Sequence, residues 1–358
     1  MANNRSTLVK PPPVDDSKAP IENALELTEL SIIGPDLFTN TRELWHPPGA
    51  RGLFGGCVIA QTLAAAQRTV PTNFTVHSYH CFFVLAGDAS VPILYHVERV
   101  RDGRSFCTRT VQARQRGHAI FTVTCSFARD GSGGAKTVNH ASPMPEGVPY
   151  PPQSFSEGEL DPSTSNGGDE KSELREKRRK QQPFEHFLCP RNDFDEPPEK
   201  RKIWQWVRAR GKISEEGGNQ AHLSALAYMS DSYFIGTVSR IHRLWRFPFR
   251  PEEMRHLEPE VREHIMRLND TGGSGGIEEL KDRPKVGMVV SLDHSIYFHN
   301  PRKVRADEWM FTLMESHWAG DGRGVVMQKI YSKDGTLLAT AVQEGVVRLK
   351  QDDGKPRL

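Results

Sequence analysis

Apolar positions recur along the chain with two different periods. Residues 57–67 carry them at helical spacing in an Ala-rich run, opened by Gly55 and Gly56. Residues 221–233 repeat that pattern, with Leu223, Leu226, Ala227 and then Phe234 apolar. Each predicted helix is followed by β-branched and aromatic stretches that read as strands. In the first block these are 75–85, 94–100, 106–114 and 120–128, with turns at Asp102-Gly103 and Arg116-Gly117. In the second they are 289–298, 309–317, 324–332 and 337–348, with a hairpin turn at Asp334-Gly335. One helix followed by an antiparallel meander predicts a sheet wrapped around a central helix.

The two blocks resemble each other. His77-Ser78-Tyr79-His80 is echoed by His294-Ser295-Ile296-Tyr297, and Asp102-Gly103-Arg104 by Asp321-Gly322-Arg323. Turn glycines follow at Gly117 and Gly335, and each block closes on an apolar strand ending in Arg129 or Arg348. This is the signature of an internal duplication. Around it the chain divides into a flexible tail (1–22), a first unit (23–130), a charged Pro/Gly/Ser-rich insert (131–200), a second unit (201–350) with an excursion at 241–285, and a tail (351–358). The insert is too polar to bury much apolar surface, so it is expected to be loosely ordered.

A chain of 358 residues has room for two domains. A net charge of +2 argues against a nucleic-acid partner. The five cysteines are an odd set with no CxxC, so neither a disulfide framework nor a cysteine zinc site is expected, and a reducing compartment is. The polar, Pro-rich start lacks the apolar core of a secretory signal, and no run is long and apolar enough to suggest a membrane span. HExxH, Walker A and dinucleotide-binding patterns give no positive support for a metal or nucleotide cofactor. Gly272-Gly273-Ser274-Gly275-Gly276 satisfies GxSxG, but no strand precedes it, and a flexible linker is the better reading.

Several ordered strings together resemble the acyl-CoA thioesterase II family. In the first half they are Leu53-Phe54-Gly55-Gly56, Ala60-Gln61-Thr62-Leu63, His77-Ser78-Tyr79-His80 and Arg101-Asp102-Gly103. In the second they include the run from Trp206 to Gly211, Ala227-Tyr228-Met229-Ser230-Asp231, Ser291-Leu292-Asp293-His294-Ser295 and Gln343-Glu344-Gly345-Val346, where the wording is similar to the eukaryotic peroxisomal members. The resemblance implies an α+β double hotdog fold. It also implies hydrolysis of fatty acyl-CoA to free acid and coenzyme A without metal or organic cofactor. Its catalytic trio falls here on Asp231, Ser291 and Gln343, with Ser in place of the commoner Thr.

The residue types suit that chemistry. A partly desolvated carboxylate can take a proton from water, while a hydroxyl and a carboxamide direct it. An acid near a helix C-terminus opposes the helix dipole, so Asp231 needs a reason to be there. The backbone N–H groups of Gly55 and Gly56, at a helix start, are the expected oxyanion donors. Two other readings remain open. A hotdog enoyl-CoA hydratase would use Asp293 and His294, and a silent acyl-CoA-binding protein would use none of these groups. A homo-oligomer is expected only by analogy. The ending Pro356-Arg357-Leu358 resembles a peroxisomal address apart from its proline, which makes the peroxisome and its import receptor the expectation and the cytoplasm the alternative.

Overall fold

The computed structural model describes residues 11–45, 52–152, 182–190, 193, 195–257, 259–269 and 276–351. In chain order the elements are α1 (Pro20–Leu25), β1 (Leu27–Glu29), β2 (Leu37–Asn40), α2 (Gly55–Gln67), β3 (Phe74–Phe83), β4 (Leu94–Asp102), β5 (Phe106–Gln115), β6 (His118–Arg129), β7 (Phe184–Leu188), β8 (Lys202–Ala209), α3 (Gly218–Ser230), α4 (Gly236–Ile241), α5 (Pro259–Leu268), α6 (Gly276–Lys281), β9 (Val286–Ser291), β10 (Asp293–Phe298), β11 (Met310–Gly320), β12 (Arg323–Tyr331) and β13 (Leu337–Leu349). Among the described residues, no helix is long and apolar enough to cross a membrane.

The helix α2 is buried along nearly its whole length, as expected of a helix apolar on most sides. Its small residues, Ala60, Ala65 and Ala66, let the sheet curl closely around it. The strands form one continuous antiparallel sheet in the order β1-β2-β4-β5-β6-β3-β10-β13-β12-β11-β8-β7, with β9 on the far part of β13. The halves join where β3 pairs with β10, Tyr79 opposite Ile296. An offset of 217 residues superposes His77 on His294 and also Tyr79 on Ile296, so the duplication seen in sequence is the pseudo-twofold of this junction. Each half is an antiparallel sheet around its own long helix, and the whole is a double hotdog.

Four local readings need correction. Residues 15–22 of the expected 1–22 tail are not free: Ile21 is fully buried, and Glu22 accepts hydrogen bonds from Ser214 N (2.9 Å) and Ser214 Oγ (2.5 Å) in the second half. The 131–200 stretch contains β7, which pairs with β8, and its 143–150 part packs on the outer sheet face, where Trp206 Nε1 donates to Pro149 O (2.8 Å). Residues 153–181, 191, 192 and 194 of that insert lie outside the described residues, as do Gly272 to Gly275 and the 352–358 tail. The expected strand 289–298 is two strands. Leu292 interrupts it, donating to Glu344 O (2.9 Å) while accepting from Phe83 N (2.9 Å). The second helix begins at Gly218 and ends at Ser230, three residues earlier at each end than its apolar pattern suggests.

Candidate active site

Asp231 is the C-cap of α3, where its charge opposes the dipole of its own helix. The fold supplies the compensation. Tyr228 OH lies 3.6 Å from Cys57 Sγ, and Ser224 Oγ donates to Gln67 Oε1 at 3.1 Å, so α2 and α3 run antiparallel. The C-terminus of α3 therefore meets the N-terminus of α2, and Gly56 N–H donates to the Asp231 carboxylate. The contact is close enough to require glycine. A Cβ on Gly55 would lie 2.6 Å from Asp231 Oδ2, and one on Gly56 would lie 2.3 Å from Tyr228 O.

Gln343 reaches the same point from β13. It is fully buried, and its Nε2 donates both to Asp231 Oδ1 (2.9 Å) and to Ser291 Oγ (3.1 Å). Ser291 ends β9, its Cα opposite Gly345. The break at Leu292 lets β9 and β10 share β13 while leaving Ser291 beside Gln343. Three elements distant in sequence thus bring the three predicted residues together. Burial pushes the Asp231 carboxyl up to about 6, against the downward pull of the Gln343 and Gly56 hydrogen bonds. The residue keeps part of its surface accessible.

The polarity of these bonds leaves defined capacities. The carboxamide N–H groups are committed to Asp231 and Ser291. Ser291 Oγ accepts from the amide, so its own O–H remains free to donate. Asp231 can accept a further hydrogen bond. A water molecule beside the cluster would donate to Asp231 and accept from Ser291.

The expected pair of oxyanion donors reduces to one, because Gly56 N–H serves Asp231. Gly55 N–H, in the first turn of α2, has no acceptor among the described residues. Asp293 and His294 do not form a catalytic pair. As consecutive strand residues they point to opposite faces. Asp293 Oδ1 accepts from Glu344 N (2.7 Å), and buried His294 has its Nε2 3.0 Å from Ser230 Oγ. Burial lowers the imidazole to about 3, so it is neutral. Pattern reading missed the aromatic wall of the site. Phe54 packs on Tyr228 (5.0 Å between centroids), and Phe83, whose ring also nears Gly55, packs on Phe121 (5.1 Å). Phe54 directly precedes the glycine pair, which was the one available signal.

Residues 42–128 match the model of the acyl-CoA thioesterase N-terminal domain, and 158–347 that of the acyl-CoA thioesterase C-terminal domain. The acyl-coenzyme A thioesterase 8 of Mus musculus is 34% identical over 337 residues, covering 92% of this chain and 90% of that protein. The chain belongs to the acyl-CoA thioesterase family. Another relative is the peroxisomal acyl-coenzyme A thioester hydrolase 1 of Saccharomyces cerevisiae, 25% identical, covering 92% of this chain and 96% of its own. Among solved structures, the acyl-CoA thioesterase II TesB2 of Mycobacterium marinum superposes with a TM-score of 0.62 at 27% identity, over 94% of this chain and 99% of that one. The thioesterase match spans both halves, so the duplicated architecture is the family's own.

Proposed function

We propose that this chain hydrolyses fatty acyl-CoA thioesters to free acid and coenzyme A through a water activated by Asp231. The observation that carries the reading is one partly buried cluster in which Gln343 Nε2 bonds both Asp231 (2.9 Å) and Ser291 (3.1 Å). Asp231, with its carboxyl raised to about 6, is ionised at neutral pH yet basic enough to accept a proton from water. Ser291 directs the water's oxygen, and Gln343 holds base and hydroxyl at fixed separation. Gly55 N–H, at the positive end of α2, stabilises the oxyanion of the tetrahedral intermediate. Water oxygen bonds the carbonyl carbon as its proton passes to Asp231. Collapse breaks the C–S bond, and that proton neutralises the departing thiolate. No covalent enzyme intermediate is needed.

The peroxisome is the proposed location. It is supported by the name of the yeast relative, a peroxisomal acyl-coenzyme A thioester hydrolase. Free-thiol release from a panel of acyl-CoA chain lengths tests the function, with wild type and Asp231→Asn side by side. Release by wild type, lost in the variant while acyl-CoA still binds, is the expected result. Full turnover by Asp231→Asn would sink the mechanism.

A further inference from the structure

Buried polar side chains in the first half are largely paired. Gln115 Nε2 donates to Asp88 O (2.8 Å) and Val91 O (2.6 Å), while its Oε1 accepts from Asp88 N (2.9 Å). Buried Arg109 donates to Thr69, Arg101, Thr108 and Asp102.

The second half differs. A diagonal of buried polar side chains crosses its inner sheet face: His294 on β10, Gln343 on β13, Gln328 on β12, Thr312 on β11 and Gln205 on β8, none more than 1% exposed. Register makes them neighbours. Gln343 faces Val326, two residues from Gln328. Gln328 faces Met314, two residues from Thr312, and Thr312 faces Gln205. Such diagonal pairs lie within reach of long side chains. The short helix α4 covers the row, with Thr237 Oγ1 3.5 Å from Met314 Sδ and Ser239 1% exposed.

Along this row, His294 Nδ1, Gln343 Oε1, Gln328 Oε1 and both amide atoms of Gln205 are buried without a hydrogen-bond partner among the described residues. Most can only accept. Ser230 Oγ donates to Ala227 O (2.8 Å), so His294 Nε2 is the donor in its bond to Ser230 and Nδ1 carries a lone pair. Gln343 must turn its Nε2 toward the Asp231 carboxylate, which points Oε1 away from it. Acceptors cannot satisfy one another, and neither an apolar acyl tail nor an anion supplies a donor. Buried groups of this kind are ordinarily satisfied by internal water, which brings two donors in a small volume.

We propose that this diagonal is a built hydration site, a file of water molecules held under α4 that ends at Gln343 Oε1. The inference rests on the hydrolase reading above, because its purpose is to serve that chemistry. The last water locks the Gln343 amide in the orientation that Asp231 and Ser291 require. The file also keeps water inside the protein for a reaction that consumes one molecule per turnover.

The test is a wild-type crystal structure fine enough to show ordered solvent, together with Gln328→Leu, an apolar replacement of similar size. Solvent within hydrogen-bond distance of Gln328 Oε1 and Gln343 Oε1 is expected. The variant is expected to lose it, with KM for acyl-CoA unchanged, melting temperature unchanged or higher, and kcat about tenfold lower. A purely structural role would not separate kcat from KM in this way. Wild-type crystals with no solvent at either oxygen would overturn the site. Solvent lost in a folded variant of unchanged kcat would overturn its role. Should Gln328→Leu not fold, Gln205→Leu reads the far end of the file by the same two measurements. Absence of thiol release by wild type would refute the hydrolase reading instead, and the crystallographic result would still decide whether the site exists.

Discussion

At the scale of single residues, the group proposed to activate water is also one that weakens the fold. The Asp231 carboxyl is raised from 3.8 in the unfolded chain to about 6 in the folded one. Between those values the folded state holds a proton that the unfolded state has released, so stability falls as pH rises through this window and stays lowered above it. Asp231→Asn removes the titration and keeps the shape. It is expected to be roughly 1–3 kcal/mol more stable than wild type at neutral pH, with the difference shrinking toward zero near pH 4. Denaturant unfolding of both proteins across that range checks it, and a variant less stable at neutral pH would show that the carboxylate's hydrogen bonds outweigh its burial. Because the working form is the carboxylate, kcat/KM of wild type is expected to rise with pH on a limb centred near 6 and then level off. A flat profile from pH 5 to 8 would remove Asp231 from the role of base.

At the scale of elements, the site depends on how closely α2 approaches the end of α3. Gly55→Ala would push a methyl group to 2.6 Å from Asp231 Oδ2 and 2.9 Å from Phe83 Cε1, so the carboxylate or the ring must shift. A kcat at least tenfold lower is expected, with KM less affected. Gly236→Ala is the matched control, because a Cβ at this helix start meets nothing within 4 Å. Equal loss in both variants would point to general helix effects. The sequence shows this glycine pair, but it invites the reading of two oxyanion donors. The reason for glycine is a close approach between residues more than 170 apart in the chain, which no local pattern contains. The same limit explains other differences. Helices and long strands follow from periodicity, whereas the interruption at Leu292 is set by hydrogen bonds to Phe83 and Glu344, both outside its own strand. β7 is a short strand in a polar neighbourhood, fixed by its pairing with β8 and by the ion pair between Glu185 and Arg208.

At the scale of the molecule, duplication offers two places for a site and the chain equips one. The 217-residue offset that superposes the central strands maps Ser291 onto Phe74. Tyr79 faces Cys125 where Ile296 faces Ala341, which maps Gln343 onto Phe127. Matching the starts of α2 and α3 maps Asp231 onto Arg68. Phe127 is fully buried, Phe74 is 8% exposed, and Arg68 donates to Leu27 O at 3.0 Å, so the three mapped positions hold an arginine and two phenylalanines in place of the acid, hydroxyl and carboxamide. Glu22 of α1 occupies the corresponding helix start as well, where a Cβ on Gly217 would meet its Oε1 at 2.4 Å. Duplication was legible from the repeated strings, and the three residues proposed as catalytic came from the family resemblance. The asymmetry was not legible, because Phe74 and Phe127 read as ordinary strand residues until register gives them counterparts. One competent site per chain is therefore the expected outcome. Calorimetric titration with a non-hydrolysable acyl-CoA thioether is expected to saturate at about one ligand per chain, and Arg68→Ala is expected to leave that stoichiometry and kcat unchanged. Saturation at two, reduced to one by Arg68→Ala, would show that the mate position still binds acyl-CoA although it lacks the groups to hydrolyse it.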